Sequence, residues 1–192
     1  LMPLAKKGDG RSQLFIGLMY DSGWGVLQND KQAVKWYTLS AENGTSVAQD
    51  MLTGDSIVAR GKNPVKWVTL AAEQGNVVAQ NMLANSYKDG MEGLLKNDKA
   101  AFKWFTLAAE QGSSEAQLNL GRIYLFGVGA LQNDKLSAAW TTKAAEQGNV
   151  GAQYILGRMY ETGKGVLEND KIAVKWFAKA AQQGDAGAQF NL

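Results

Sequence analysis

A chain of 192 residues that is 45% hydrophobic and 20% charged, with only two prolines, is long enough to bury a substantial helical core and too apolar to be disordered. It has no cysteine and no histidine, which excludes disulfides, thiolate metal sites, and Ser-His, Cys-His and His-rich metal constellations, while leaving the redox compartment undecided. Twenty basic residues against 18 acidic ones give a net charge of +2, too balanced to attract nucleic acid or lipid headgroups in bulk, and no run is apolar enough to span a bilayer.

The first elements expected along the chain belong to an incomplete unit. Residues 1–11, with Leu4 to Asp9, have the pattern of the tail of a helix that closes a preceding repeat. Five repeats follow, at 12–47, 48–78, 79–115, 116–151 and 152–187, and residues 188–192 begin a further one. The phase is marked by Gln13, Gln49, Gln80, Gln117, Gln153 and Gln189, which are separated by 36, 31, 37, 36 and 36 residues. A period of this length is the signature of stacked supersecondary units, so 1–192 reads as a single repeat domain.

Inside each repeat, glycines punctuate two amphipathic segments. In the fourth, Ser114 to Phe126 carries one apolar stripe, Gly127 and Gly129 interrupt it, and Asp134 to Gln147 carries the second. The second helix is expected to start at Asn-Asp-Lys, with Asp30, Asp98, Asp134 and Asp170 as N-caps. It is expected to stop at Gly44, Gly75, Gly112, Gly148 and Gly184, where the chain must enter the left-handed region. Asn76, Ser113, Asn149 and Asp185 are then placed to cap the next first helix. Repeat two is short: Ser56 stands where the others have Tyr, and only 11 residues separate it from Trp67. The stretch Ile57 to Asn63 therefore reads as a tightened connection ahead of Pro64 in a first helical turn, a place where stacking can kink and shape a pocket. Trp36, Trp67, Trp104, Trp140 and Trp176, with Tyr20, Tyr87, Tyr124 and Tyr160, recur at fixed phases and are expected to fill the space between stacked hairpins.

The pattern A-Q-x-x-L-G-x-x-Y-x-x-G-x-G-V-x-x-x-D-x-x-x-A-x-x-W-[YF]-x-x-A-A-x-Q-G, seen from Ala152-Gln153 through Leu156-Gly157, Tyr160, Gly163, Gly165-Val166, Asp170, Ala173, Trp176-Phe177 and Ala180-Ala181 to Gln183-Gly184, resembles the Sel1-like repeat, a relative of the tetratricopeptide repeat. The resemblance covers essentially the whole chain. It implies an all-α, right-handed α-solenoid of stacked antiparallel helix pairs, whose concave surface serves as an interaction scaffold in bacterial secreted, periplasmic or host-directed proteins and in eukaryotic complexes. This leans the compartment toward periplasmic or secreted. Some family members bridge each hairpin with cysteines, and this chain must rely on packing alone.

If the repeated positions serve packing, partner specificity falls to the variable residues of the first helices. Arg122 and Arg158 share one phase, with Asn85 at that phase in the preceding repeat and Asn119 one turn away, a polar ladder suited to a carboxylate or to the backbone of a bound segment. The two guanidinium groups are expected about 10 Å apart, one helix diameter. Trp24 and Phe126 project from the turns after first helices and are candidate partner anchors. Leu14, Phe15, Leu18, Tyr154 and Phe190 make the terminal rims apolar, which predicts a segment of a longer array or ends that associate with another copy. Lysines beside the tryptophans alternate with Glu42, Glu73 and Glu110, so no nucleic-acid groove is expected.

Two function classes follow. The leading one is a non-catalytic scaffold for a protein or peptide, acting as a bacterial adaptor, a host-directed factor or a toxin-immunity protein, with no catalytic residue, cofactor or metal. The alternative is an accessory subunit or regulator of a cell-envelope enzyme, or a hydrolase using Asp or Glu.

Overall fold

A computed structural model of the chain describes residues 1–53, 64–91 and 94–192. Among the described residues there are twelve helices and no strand: α1 (Met2–Lys6), α2 (Gly10–Ser22), α3 (Asp30–Glu42), α4 (Ser46–Thr53), α5 (Pro64–Glu73), α6 (Val77–Asp89), α7 (Asp98–Glu110), α8 (Ser114–Phe126), α9 (Asp134–Glu146), α10 (Val150–Thr162), α11 (Asp170–Gln182) and α12 (Ala186–Phe190). They form two compact units, Leu1–Leu95 and Lys96–Leu192. In the first, α2 packs on α3, α3 on α4, and α5 on α6; in the second, each helix from α7 to α12 packs on the next. Each unit is thus built of helix hairpins in paired repeats, the all-α architecture anticipated from the glycine punctuation.

Helix boundaries follow from local chemistry. Asn76, Ser113, Asn149 and Asp185 cap α6, α8, α10 and α12 by accepting the amides of Ala79, Ala116, Ala152 and Ala188 at 2.7–3.3 Å. The second helices are capped one residue earlier than expected. Asn29, Asn97, Asn133 and Asn169 are the N-caps, accepting from Gln32, Ala100, Leu136 and Ile172 at 3.0–3.1 Å. Asp30, Asp98, Asp134 and Asp170 occupy the first helical position, where their charge complements the helix dipole. The same asparagines close the hairpin: the amides of Asn29, Asn133 and Asn169 donate to the carbonyls of Tyr20, Tyr124 and Tyr160 at 2.8–2.9 Å. The expected second-helix stops hold, with φ between +82° and +95° at Gly44, Gly75, Gly112, Gly148 and Gly184. Pro64 opens α5 as expected; the tightened connection Ile57 to Asn63, with Ser56, lies outside the described residues.

Packing assigns the rings differently from the simple periodic reading. Among the described residues the fully buried aromatics are Tyr37, Phe105 and Phe177, each the residue after a tryptophan, and each such side chain contributes about 2–3 kcal/mol by burial. Trp36, Trp104, Trp140 and Trp176 are half-buried at the rim of the core. Lys143 and Lys179 reach over the rings of Trp140 and Trp176, at 4.1 and 4.3 Å from the centroids. The close approach of first and second helices is made by Gly17 under the Tyr37 ring and Gly157 under the Phe177 ring, where a Cβ would collide with the ring.

The glutamines that mark the repeat staple three helices together. Gln153 Nε2 donates to the Ala145 carbonyl at 3.2 Å, while its Oε1 accepts from Gln183 Nε2 at 2.8 Å. Gln117 repeats this with Ala109 and Gln147, and Gln13 with Ala5 and Asn43. Each amide joins the start of one first helix to the end of the second helix before it and to the residue that ends its own hairpin's second helix.

Candidate functional site

Beside the repeated packing positions, the first helices carry residues that vary from repeat to repeat. On α8 these are Glu115, Asn119, Arg122 and Phe126, at the spacing of one helical face; on α10 they are Gly151, Tyr154, Ile155, Arg158 and Thr162. Small residues let the two helices approach. A Cβ on Gly151 would lie 3.3 Å from Leu118 Cδ2 and 3.8 Å from Arg122 Nη2, which places the Arg122 guanidinium against the first turn of α10. One repeat further on, the Tyr154 ring lies against Gly187 of α12 and 5.9 Å from the Phe177 ring.

The C-terminal turns of α8 and α10 enclose a cleft of about 270 Å³ lined by Leu125, Phe126, Ile155, Arg158, Met159, Thr162 and Lys164. Its inner wall is apolar: Met159 is 3% exposed, and Leu125 and Ile155 are half-buried. Phe126, 69% exposed, stands at the mouth, with Arg158 and Lys164. Both cations have acidic neighbours outside the cleft. Arg158 Nη1 lies 3.1 Å from Glu161 Oε2 on the same helix, and Lys164 Nζ lies 3.8 Å from Asp134 Oδ1 of the preceding repeat. The Thr162 hydroxyl donates to the Arg158 carbonyl at 2.8 Å.

Two candidates that the sequence treated separately, Phe126 of a turn and Arg158 of a polar ladder, therefore share one cleft. Arg122 is exposed on the same face without lining it, and Asn119 is half-buried beside it. Tyr154 is half-buried and its position follows from packing on Phe177 and α12. Asn85 belongs to the other unit and accepts from Lys88 Nζ at 3.0 Å. There too, Trp24 is 67% exposed and meets Phe15 of α2 edge-on, with ring centroids 5.6 Å apart. The sequence reading missed a set of loop leucines. Leu27, Leu95, Leu131 and Leu167, each two residues before the Asn cap, are 88–91% exposed. Their recurrence as Leu-x-Asn-Asp was visible, but nothing in a one-dimensional pattern distinguishes a loop leucine that folds inward from one that does not.

Among the described residues no helix is long and apolar enough to cross a membrane. The Sel1 repeat profile matches residues 10–45, 65–76, 77–113, 114–149 and 150–185. No curated protein matches the chain. Among solved structures, the chain resembles a protective antigen of uropathogenic Escherichia coli strains displaying an SLR fold, with 36% identity, a TM-score of 0.71 and 98% of the chain covered. The match spans 41% of that protein's length. A Sel1 repeat protein from Oxalobacter formigenes matches 68% of the chain and 98% of its own length at 39% identity and a TM-score of 0.63. Cysteine rich protein B of Helicobacter pylori matches 72% of the chain and 99% of its own at 25% identity and a TM-score of 0.54. Five matched segments covering most of the sequence, on hairpins that carry the repeat's packing positions, place the chain in the Sel1 repeat family.

Proposed function

We propose that the chain is a non-catalytic scaffold that captures a protein or peptide on the face formed by the first helices of its hairpins. Sel1 repeat proteins are generally protein-interaction scaffolds, and the proposal assigns this chain the same work through residues of its own. One observation carries it. Most positions that repeat are accounted for by caps, staples and close helix approaches, whereas Phe126 and Trp24 are exposed where other repeats have Thr162 and Lys164, and Arg122 and Arg158 are exposed at one shared phase that Asn85 occupies in an earlier repeat. Structure-bearing positions are thereby separated from positions free to specify a partner. Asp30, Asp98, Asp134 and Asp170 of the Asn-Asp-Lys segments are accounted for by helix starts, so their recurrence does not favour the hydrolase alternative.

The test is affinity capture from the native cell with the wild-type chain and with Arg122→Glu combined with Arg158→Glu. Both proteins should give the same helical circular dichroism, and the partner retained by the first should be lost from the second by at least tenfold. A partner held equally by both would remove this face from the function. Turnover that depends on an exposed Asp or Glu would replace the scaffold reading with an enzymatic one.

A further inference from the structure

We propose that the cleft between the C-terminal turns of α8 and α10 is an anchor site for a peptide segment carrying a bulky apolar side chain beside a carboxylate. This deepens the scaffold reading and rests on it. The size of the cleft is the first argument. About 270 Å³ falls below the ~300–1,000 Å³ typical of small-molecule and cofactor pockets, and suits one or two side chains of a longer ligand. Its composition is the second. Met159, Ile155 and Leu125 offer an apolar wall, and the exposed Phe126 ring extends it outward. The fold does not require an aromatic there: the residues that end the equivalent helices, each before a left-handed glycine, are Ser22, Asp89 and Thr162. A large apolar ring held at the mouth of an apolar cleft, where packing is satisfied by polar residues elsewhere, has the character of a binding anchor.

Charge complementarity chooses the rest of the ligand. Both ionisable side chains lining the cleft are cationic, Arg158 and Lys164, and no carboxylate lines it. Their partners Glu161 and Asp134 stand outside and engage one guanidinium nitrogen at 3.1 Å and the ammonium at 3.8 Å. Arg158 has five N–H donors in a planar fork, so an incoming carboxylate can add to the Glu161 contact without displacing it. The Arg158 and Glu161 side chains are 49% and 40% exposed, so that solvent-screened pair holds the guanidinium only weakly in place. An extended peptide that buries a Leu or Phe between Ile155 and Phe126 brings its neighbouring acidic residue to Arg158 and Lys164. A basic neighbour would meet the same two cations and be repelled.

The experiment uses the full chain, labelled at Ile and Met methyls, titrated with three short acetylated and amidated peptides: Glu-Leu-Phe-Glu, Lys-Leu-Phe-Lys and Glu-Ser-Ser-Glu. Saturable shifts at Ile155 and Met159 are expected with the first, at least tenfold weaker binding with the other two, and at least a tenfold loss for the first on Phe126→Ser or on Arg158→Gln with Lys164→Gln. All three substituted positions are exposed, and unchanged circular dichroism verifies each variant's fold. Equal binding of the lysine peptide, or absence of saturable shifts at Ile155 and Met159, would overturn the anchor chemistry. Concentration-dependent shifts at those methyls without peptide, with a dimer in light scattering, would assign the cleft to a second copy and overturn it equally. A partner lost on Arg122 and Arg158 reversal while the peptides fail leaves the scaffold standing and removes only this inference.

Discussion

Tyr37 shows how one buried group couples this fold to pH. Its ring is 1% exposed above Gly17, and its hydroxyl donates to Asp21 Oδ2 at 3.4 Å. Burial pushes the phenol's pKa well above its ordinary value, because the ionised form would lose its hydration. The native state therefore holds the proton that the unfolded chain releases near pH ~10. Stability from this group is complete below that pH and is lost as pH rises beyond it, at up to about 1.4 kcal/mol per pH unit. Urea midpoints measured from pH 8 to 11 should fall more steeply for the wild type than for Tyr37→Phe, which has no proton to release. Parallel slopes would show that the Tyr37 phenol does not drive the alkaline loss. The equivalent positions hold Val68, Phe105, Thr141 and Phe177, so the effect belongs to this repeat. The sequence marked an aromatic pair, Trp36-Tyr37, but adjacent residues sit about 100° apart on a helix, and periodicity alone did not decide which ring faces inward.

Helix starts and stops were legible because caps act within three or four residues, a distance that sequence records directly. The one-residue displacement from Asp to Asn at the second helices arose where two good capping residues adjoin, and the backbone places the aspartate inside the helix. The cleft was not legible: its walls come from two helices a repeat apart, and only packing joins Phe126 to Arg158. The second glycine of the Gly-x-Gly pairs was read as a breaker, yet in the fourth and fifth repeats it does more than end a helix. Gly165, at φ +76°, lies so close to the Asp134 carbonyl of the preceding repeat that a Cβ would overlap it, and Gly129 stands likewise over Asp98. Gly184 has a similar φ of +91° but open space around it. Gly184→Ala should therefore cost about 1–2 kcal/mol, the left-handed penalty alone. Gly165→Ala adds a backbone collision that only a shift between hairpins relieves, and should cost at least about 2 kcal/mol more. Urea unfolding of the two variants compares them; equal losses would mean that the loop does not lock one repeat to the next.

Across the chain the cross-helix hydrogen bonds recur at the same sequence separations. Tyr37 to Asp21 and Ser137 to Gly121 span 16 residues, Ser40 to Gly10 spans 30, and the glutamine staples span 8 and 30. Each repeat is held by its immediate neighbours, so energetic coupling should decay within one repeat, as nearest-neighbour arrays require. Gln153 and Gln183 share a hydrogen bond of 2.8 Å, whereas Gln153 and Gln13 belong to separate units. Gln153→Leu removes two hydrogen bonds, to Gln183 and to the Ala145 carbonyl, which keeps the Gly148 amide at 3.0 Å, and at about 0.5–1.5 kcal/mol for each should cost about 1–3 kcal/mol. Combined with Gln183→Leu, the loss should fall short of the sum by about 0.5 kcal/mol or more, because the bond the two glutamines share is lost only once. Combined with Gln13→Leu, the losses should add to within about 0.5 kcal/mol. Hydrogen exchange at amides of α2 and α10 reads the two sites separately. Strong coupling between the distant pair, or none between the adjacent one, would refute a chain stabilised repeat by repeat through its glutamines.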